Sequence, residues 1–457
     1  MGSEYRQQIG RTIATDVVVC GGGCAGFAAA LACARLGVRT VLLEKTQMIG
    51  GTATAGLVGP FMTSFDGRGE RQIVKGLFDE MVTRLEARGG AVHPGKTGDG
   101  SAYGCYYQGY TRRHNNVTPF RSDMLQLLLL DMLNEAGVEL LINFTVIDVA
   151  RNGEQVTGVI GHDGSELRQY AAKVVIDCTG DALVCYKANA VRPECLAPDY
   201  AVQPMTTFFS VYGVDDAQID QYITEHPEER GMLFRHQIEQ AMAAGEYPIP
   251  RNKIGMHKGI NAGEWKMNCT RIQGLNPLDP ADLTTAYWTG LRQIFFLMDF
   301  LKTLPGLANV QLKEIAPRLG IRESRRLDGA YSLETADLIE PPRVFTDTIA
   351  LGSFLLDLHP SSGSRAGIDE RPIVANCFQI PYRVLLPRTI DGLLAAGRCV
   401  SASRDALSSI RVMPQAFAMG EAAGTAAALC CRRNRQPRSL DTAELQAQLQ
   451  AQGAVIA

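Results

Sequence analysis

The chain has 457 residues, 45 Lys and Arg against 48 Asp and Glu, a formal net charge of −3 and 46% hydrophobic residues. That length accommodates two or three domains, the composition is that of a globular protein with a packed core, and the near-balanced charge offers no broad field for nucleic acid or an anionic membrane. Residues 1–15 are polar and lack the apolar core of a secretory signal, and no segment reaches the ~18 uninterrupted apolar residues of a membrane helix. The nearest stretch, 414–431, carries Gln415, Glu421 and two interior glycines. The 12 cysteines form no C-x-x-C pair and no zinc-ligand spacing, so reduced structural thiols and a cytoplasmic location are expected. No metal site is expected either, because the 7 histidines show no ligand spacing.

In chain order, the first signal is the apolar run Val17-Val18-Val19-Cys20 leading into Gly21-Gly22-Gly23-Cys24-Ala25-Gly26. A small-residue helix over 25–36, a strand over 38–43 and the acidic end Glu44-Lys45 follow. That order is what a dinucleotide needs: Gly21 allows the tight turn, Gly23 lets backbone approach a pyrophosphate, and Gly26 lets the helix pack on the sheet. The helix then aims free N–H groups at the phosphates, and Glu44, 18 residues after Gly26, suits the ribose hydroxyls. Cys24, inside the turn, reads as a small residue tolerated beside phosphate.

A second glycine loop spans 50–56, an amphipathic helix continues over 79–88, and 93–116 reads as a long loop or lid. The leucine-rich 121–136 predicts a helix ended by Gly137, followed by a strand over 138–142. Segments 145–150, 155–162 and 168–170, joined by Asn152-Gly153 and Asp163-Gly164, predict a meander. The strand 173–178 ends in Thr179-Gly180-Asp181 and returns the chain to the nucleotide. Residues 192–379 are mixed in texture, with a helix over 282–304. A strand over 393–396, Gly397-Arg398, a loop over 399–413 and a helix opened by Pro414 close the chain. The division expected is 1–191 and 380–457 for the nucleotide-binding domain and 192–379 for an α+β substrate or cap domain.

Four segments, 21–44, 50–56, 174–181 and 393–424, resemble the flavoprotein superfamily with the glutathione-reductase-type FAD fold. The run Arg322-Glu323-Ser324-Arg325-Arg326-Leu327-Asp328-Gly329, the run from Ala396 to Pro414 and Asp357-Leu358-His359 resemble the FAD-dependent oxidoreductase family in particular. The resemblance implies an α/β, Rossmann-like FAD-binding domain and one FAD, noncovalently held. It places Glu44 and Lys45 at the adenosine ribose, and Gly21, Gly23, Cys24, Ala25 and Gly26 at the pyrophosphate. Gly51 and Thr52 fall near the ribityl and flavin, and the Val146 backbone at adenine. Thr179, Gly180 and Asp181 close the nucleotide half, Gly397 and Arg398 touch the ribityl-pyrophosphate, and Val412 and Met413 face the flavin pyrimidine ring. A helix N-terminus there has its own physical reason: reduced flavin is negative on that edge, which such a terminus stabilises by ~0.3–1 kcal/mol.

Thr52 to Phe65 carries no cysteine pair and no second glycine fingerprint lies between Gly100 and Ile390, so direct substrate-to-flavin chemistry is expected over disulfide or dedicated NAD(P)H chemistry. His359 is the acid/base candidate, since its ordinary pKa lies near neutrality and Asp357 stands two positions away. Arg322 and Arg411 are candidates to hold a polar substrate oxygen, with Arg325, Arg326, Tyr382 and Arg404 behind them. Glu323 and Asp328 are equally able to tie up the clustered arginines as ion pairs. His257 and His114 read as exposed loop histidines, and Cys105 is a remote candidate for covalent flavin attachment. The expected function is oxidation or desaturation of a small polar organic molecule by hydride transfer to flavin. The alternatives are a flavin monooxygenase or hydroxylase, and a redox-neutral isomerase or hydratase. The electron acceptor and a homo-oligomeric state stay open.

Overall fold

The structure is a computed structural model that describes residues 7–98, 101–103, 116–197, 200–229, 232–363 and 374–457. The chain opens with strand β1 (Ile9–Ala14), which is exposed on most of its length. It was not legible among polar residues, because it pairs at a sheet edge where period-2 burial is weak. Then β2 (Val17–Cys20), helix α1 (Cys24–Arg35) and β3 (Thr40–Leu43) form the expected strand–helix–strand unit. Helices α2 (Leu77–Ala87) and α3 (Ser122–Glu135) lead to the short strand β4 (Glu139–Leu141). Consecutive strands β5 (Thr145–Asn152), β6 (Gln155–His162) and β7 (Leu167–Ala171) pair antiparallel, and β7 takes β1 in parallel on its other edge. Strand β8 (Val174–Asp177) and helix α4 (Leu183–Lys187) follow.

A five-stranded parallel sheet, in which β15 (Leu393–Ala395) is the last to join, has the order β15-β8-β2-β3-β4. Its central strands are buried on both faces, which explains their unbroken apolar runs. Alternate side chains face opposite layers. Val17, Val19, Leu42 and Ile176 pack with the helices, while Val18, Cys20, Val41 and Leu43 pack with Val159 and Tyr170 of the antiparallel strands and with Phe144 just before them.

The middle of the chain supplies β9 (Phe209–Tyr212), α5 (Asp216–Glu225), α6 (Arg235–Ala243), β10 (Met256–Lys258), β11 (Trp265–Met267), α7 (Pro280–Leu301) and β12 (Gln311–Ile315). The strands form an antiparallel sheet, order β10-β11-β9-β12, under a separate core of Phe209, Trp265, Met267, Ile294 and Leu297. Beyond it, α8 (Thr335–Leu338), β13 (Thr348–Gly352) and β14 (Phe378–Pro381) pack into the same core as α1.

The segment expected as a loop over 399–413 contains a helix, α9 (Arg404–Ile410). Ser403 caps it, its hydroxyl accepting from the Ala406 N–H at 3.3 Å, a start signal that a three-residue spacing makes easy to miss. Helix α10 (Met413–Arg433) follows, and α11 (Thr442–Ala451) ends the fold. The contact between α1 and α10 is close because both present small residues. A Cβ on Gly420 would lie 2.1 Å from the Ala25 carbonyl oxygen, and one on Gly424 2.2 Å from that of Ala29. Buried almost all round, α10 holds its N-terminus fixed against the sheet. No helix among the described residues is long and apolar enough to cross a membrane.

Candidate active site

Ligand sites in open α/β sheets form beyond the carboxyl ends of the strands, where the strand order reverses. Here β2 is followed to one side by β3 and flanked on the other by β8. A cavity of about 380 Å³ opens there, walled by the residues that follow β2, β3, β8 and β15.

The first glycine turn builds one wall. Gly21 sits at φ +98°, and a Cβ on it would lie 2.5 Å from the Cys178 carbonyl oxygen. Gly23 is extended (φ −72°, ψ −171°), and a Cβ there would meet nothing within 4 Å. The space above Gly23 is therefore open, and the α1 N-terminus behind it has no side-chain cap. The second glycine loop closes against the first: the Gly50 N–H donates to the Gly22 carbonyl at 2.8 Å, and Gly51 takes φ +53°. Glu44 fixes the far end of the turn. One carboxylate oxygen accepts from the Gly22 N–H at 2.7 Å, and the other from the Thr46 N–H and hydroxyl at 2.9 and 2.8 Å.

Gly21, Gly23, Cys24, Ala25, Glu44, Lys45, Gly51, Thr52, Val146, Thr179, Gly180, Asp181, Gly397, Arg398 and Met413 all line this cavity. Two residues expected with them do not. Gly26 lies behind the wall, where a Cβ would stand 1.7 Å from the Gly21 carbonyl oxygen, so its role is packing. Val412 lines the neighbouring cavity instead, because it is the residue just before α10. Arg398 donates to Asp181 at 3.1 Å and to the Ser324 hydroxyl at 3.1 Å; burial raises the Asp181 carboxyl, but Arg398 and Lys45 outweigh it and hold it below the usual range. Burial pushes the Cys24 thiol up to about 12, so it stays a neutral small side chain.

A second cavity, about 220 Å³, shares Thr52, Ile321, Arg411 and Met413 with the first. Met413 opens α10, which has Pro414 in its first turn and no side-chain cap, so its free N–H groups sit at this junction. His359, Arg322 and Arg411 line the second cavity. The Asp357 carboxylate links two of them, with Oδ1 3.2 Å from His359 Nε2 and Oδ2 3.2 Å from an Arg411 guanidinium nitrogen. Burial raises the Asp357 carboxyl, but the His359 hydrogen bond and the Arg411 and Arg322 guanidinium groups outweigh it and hold it well below the usual range. Burial and then Arg322 push His359 down to about 3, against the pull of Asp357. The ring is therefore neutral at physiological pH, a correction to the near-neutral titration its sequence context suggests; the cause is its burial beside a guanidinium.

The other candidates scatter. Arg325 lines the first cavity, its Nε donating to the Asp181 carbonyl at 2.9 Å. Arg326 turns away to the Tyr200 hydroxyl at 2.6 Å, and Arg404 to Glu323 at 3.0 Å. Asp328 pairs with Arg388 rather than with the clustered arginines. Tyr382 is core, its hydroxyl donating to the Pro437 carbonyl at 3.1 Å. His257 is no exposed loop residue: it lies on β10, stacked beside Phe208, and lines the second cavity. His114 and Cys105 lie outside the described residues.

Sequence reasoning missed Arg251, Lys253 and Asn268, which also line the second cavity. They flank the short β10–β11 pair and come from a region without clear periodicity, so only tertiary packing reveals them. Lys266 on β11 was missed too. Burial pushes it down to about 7, and its ammonium donates to the Ser122 hydroxyl at 2.9 Å while lying 4.0 Å above the Phe120 ring.

The sequence model of the FAD dependent oxidoreductase family matches residues 16–449. The chain belongs to that family, and FAD is its cofactor. No curated protein matches it in sequence. Among solved structures, a geranylgeranyl bacteriochlorophyll reductase-like protein from Thermoplasma acidophilum is 13% identical, covering 96% of this chain and 84% of that one at a TM-score of 0.47. The flavin-dependent brominase Bmp2 is 15% identical over 96% and 83%, TM-score 0.45. The p-nitrophenol 4-monooxygenase PnpA from Pseudomonas putida DLL-E4 is 12% identical over 93% and 82%, TM-score 0.46.

The residues present fit FAD. The two glycine loops leave an open cradle above Gly23, an acidic side chain closes one end and an uncapped helix start closes the other. Among the described residues, no group of three or more His, Cys, Asp or Glu side chains is arranged to hold a metal.

Proposed function

We propose that this FAD-dependent oxidoreductase works on a small polar organic substrate seated in the second cavity, in direct contact with the flavin ring at the shared wall. The observation that carries this reading is that wall itself: Thr52, Ile321, Arg411 and Met413 belong to both cavities. In this reading the FAD-binding part, of glutathione-reductase type with a three-stranded meander, comprises 1–191 and 380–457, and 192–379 supply the cap over the reacting end. Glu44 and Lys45 hold the adenosine side. Gly23, Cys24 and Ala25 lie along the pyrophosphate, Thr179 to Asp181 with Arg398 flank it, and Gly51, Thr52 and Met413 bound the ring.

When bound, FAD supplies a two-electron acceptor for a substrate hydride or, once reduced, a centre that activates oxygen. The protein's own contribution is positional. Asp357 accepts from His359 Nε2 and fixes that tautomer, leaving Nδ1 as the proton acceptor. The ring rests neutral and accepts a hydrogen bond, and negative charge on the substrate that offsets Arg322 raises its basicity toward proton transfer. Arg411, held by Asp357, orients a substrate oxygen, and the α10 N-terminus favours negative charge at the junction.

Hydride transfer to flavin is the leading reading. The names of the brominase and the monooxygenase belong with the second, oxygen-activating reading, and a fold likeness at these TM-scores does not choose between them. Anaerobic mixing of holoenzyme with a panel of small polar metabolites separates the two. Bleaching of the flavin band at ~450 nm without NADPH supports hydride transfer, whereas substrate-dependent NADPH oxidation that needs oxygen supports the other. Turnover with neither overturns both and favours a redox-neutral reaction. His359→Ala should slow the reductive step at least about a hundredfold with the bound colour unchanged. An unchanged rate removes His359 from the mechanism.

A further inference from the structure

The second cavity carries an imbalance of charge that the proposed reaction does not use. Among the described residues three guanidinium side chains line it, Arg251, Arg322 and Arg411, against the one carboxylate of Asp357. Asp357 is spoken for by Arg411 and His359. Among the described residues neither Arg251 nor Arg322 has a carboxylate within ion-pair distance. Arg322 gives one nitrogen to the Pro204 carbonyl at 2.5 Å. Among the described residues the Arg251 guanidinium reaches only the Asn268 side-chain oxygen, at 3.5 Å, and its buried Nε has no partner. Both arginines are buried, at 3% and 9% residue exposure, so water does not screen them freely.

Burying an unpaired cation is costly, and burying two beside each other more so, unless an anion completes the set. Burial, then Arg411, pushes Arg322 down to about 9, with Arg251 adding to the repulsion. Phe208, Ile254, Met256 and Phe354 give the lining an apolar side, alongside the polar Thr52, Thr206, His257 and Asn268 that share it.

We infer that the substrate of this site is a small organic anion, its oxyanion group held in the fork of Arg251 and Arg322 and its short apolar body lying against Phe208 and Met256. A carboxylate, sulfonate or phosphate shares the chemistry that recognises it: planar or tetrahedral oxygens accepting paired guanidinium N–H donors. The inference rests on the proposed function, because it assumes that this cavity is the substrate's, and it narrows that substrate's class.

The test is calorimetric titration of the FAD-loaded protein with succinate, methanesulfonate and inorganic phosphate, and with succinamide as the uncharged isostere, recording the flavin difference spectrum in parallel. At least one anion should bind saturably and perturb the flavin band, with the amide at least about tenfold weaker. Arg322→Met and Arg251→Met should each weaken that anion about tenfold or more while FAD content stays as in the parent and the melting temperature without anion is at or above the parent's. Arg322→Lys, which keeps the charge, should recover part of the loss even if the methionine variant folds poorly. Bound FAD with no heat from any of the three anions overturns the inference, as does an amide that binds as well as the acid. Anion heat that leaves the flavin spectrum unmoved counts instead against the shared-wall reading of the function. Which of the three anions binds identifies the oxyanion.

Discussion

At the residue scale, Gly23 and Gly26 show how one fingerprint holds two different demands. A Cβ on Gly23 meets only open space, in a backbone conformation that alanine adopts freely. A Cβ on Gly26 collides with the Gly21 carbonyl at 1.7 Å. Gly23→Ala should therefore fold with stability within about 0.5 kcal/mol of the parent yet lose FAD affinity at least about tenfold, because the methyl stands where the pyrophosphate must approach. Gly26→Ala should cost at least about 1–3 kcal/mol, since backbone must shift. Urea denaturation and flavin content separate the two, and a Gly23→Ala protein with full FAD content contradicts the assignment of the cradle. His359 and Asp357 teach the complementary lesson. Their two-residue spacing is visible in the sequence and they do pair, but the Arg322 guanidinium that suppresses His359 titration arrives from 37 residues earlier and only the fold brings it there.

At the element scale, α10 ties the site to the rest of the fold. Its N-terminus lies at the junction of the two cavities, and its middle holds Glu421, 1% exposed, whose Oε2 accepts the Leu77 N–H at 3.0 Å and so caps α2. Burial pushes the Glu421 carboxyl up to about 7, against the Leu77 N–H and Arg35. Below the ordinary carboxylate pKa both folded and unfolded chains hold the proton. Between that value and about 7 the folded chain binds more, so stability falls as pH rises through the window and stays low above it, by about 3 kcal/mol in all. Glu421→Gln keeps an acceptor for Leu77 and removes the charge. Its melting temperature should be flatter than the parent's between about pH 5 and 8, and higher at the alkaline end. Parallel curves contradict the buried, titrating carboxyl. Elements with strong local codes were legible: the β2–α1–β3 unit from its glycine spacing, α10 from Pro414, and the antiparallel strands from Asn152-Gly153 and Asp163-Gly164. Elements without them were not. β1 is an exposed edge strand whose only support is its neighbour, and α9 is two turns long and signalled by a single serine cap.

At the scale of the whole molecule, the parallel sheet and the antiparallel sheet meet over the site from two separate cores. The glycine loops are each contiguous in sequence, so the cofactor cradle could be read residue by residue. The second cavity draws on β10 and its flanks, on 320–322, on 354–359 and on the start of α10, segments far apart in the chain. Arg251, Lys253 and His257 carry no spacing signal because they lie on or just before β10, a three-residue strand held by three pairs with β11, not by a local period. The proposed chemistry requires these two assemblies to meet at one wall. The measurement that tests it most directly is a crystal structure of the protein with FAD bound. The adenosine ribose should lie at Glu44, the pyrophosphate above Gly23 and the isoalloxazine ring against Thr52, Arg411 and Met413, with one face open to the cavity of His359 and Arg322. A ring lying away from Met413, or one sealed off from His359, would contradict it.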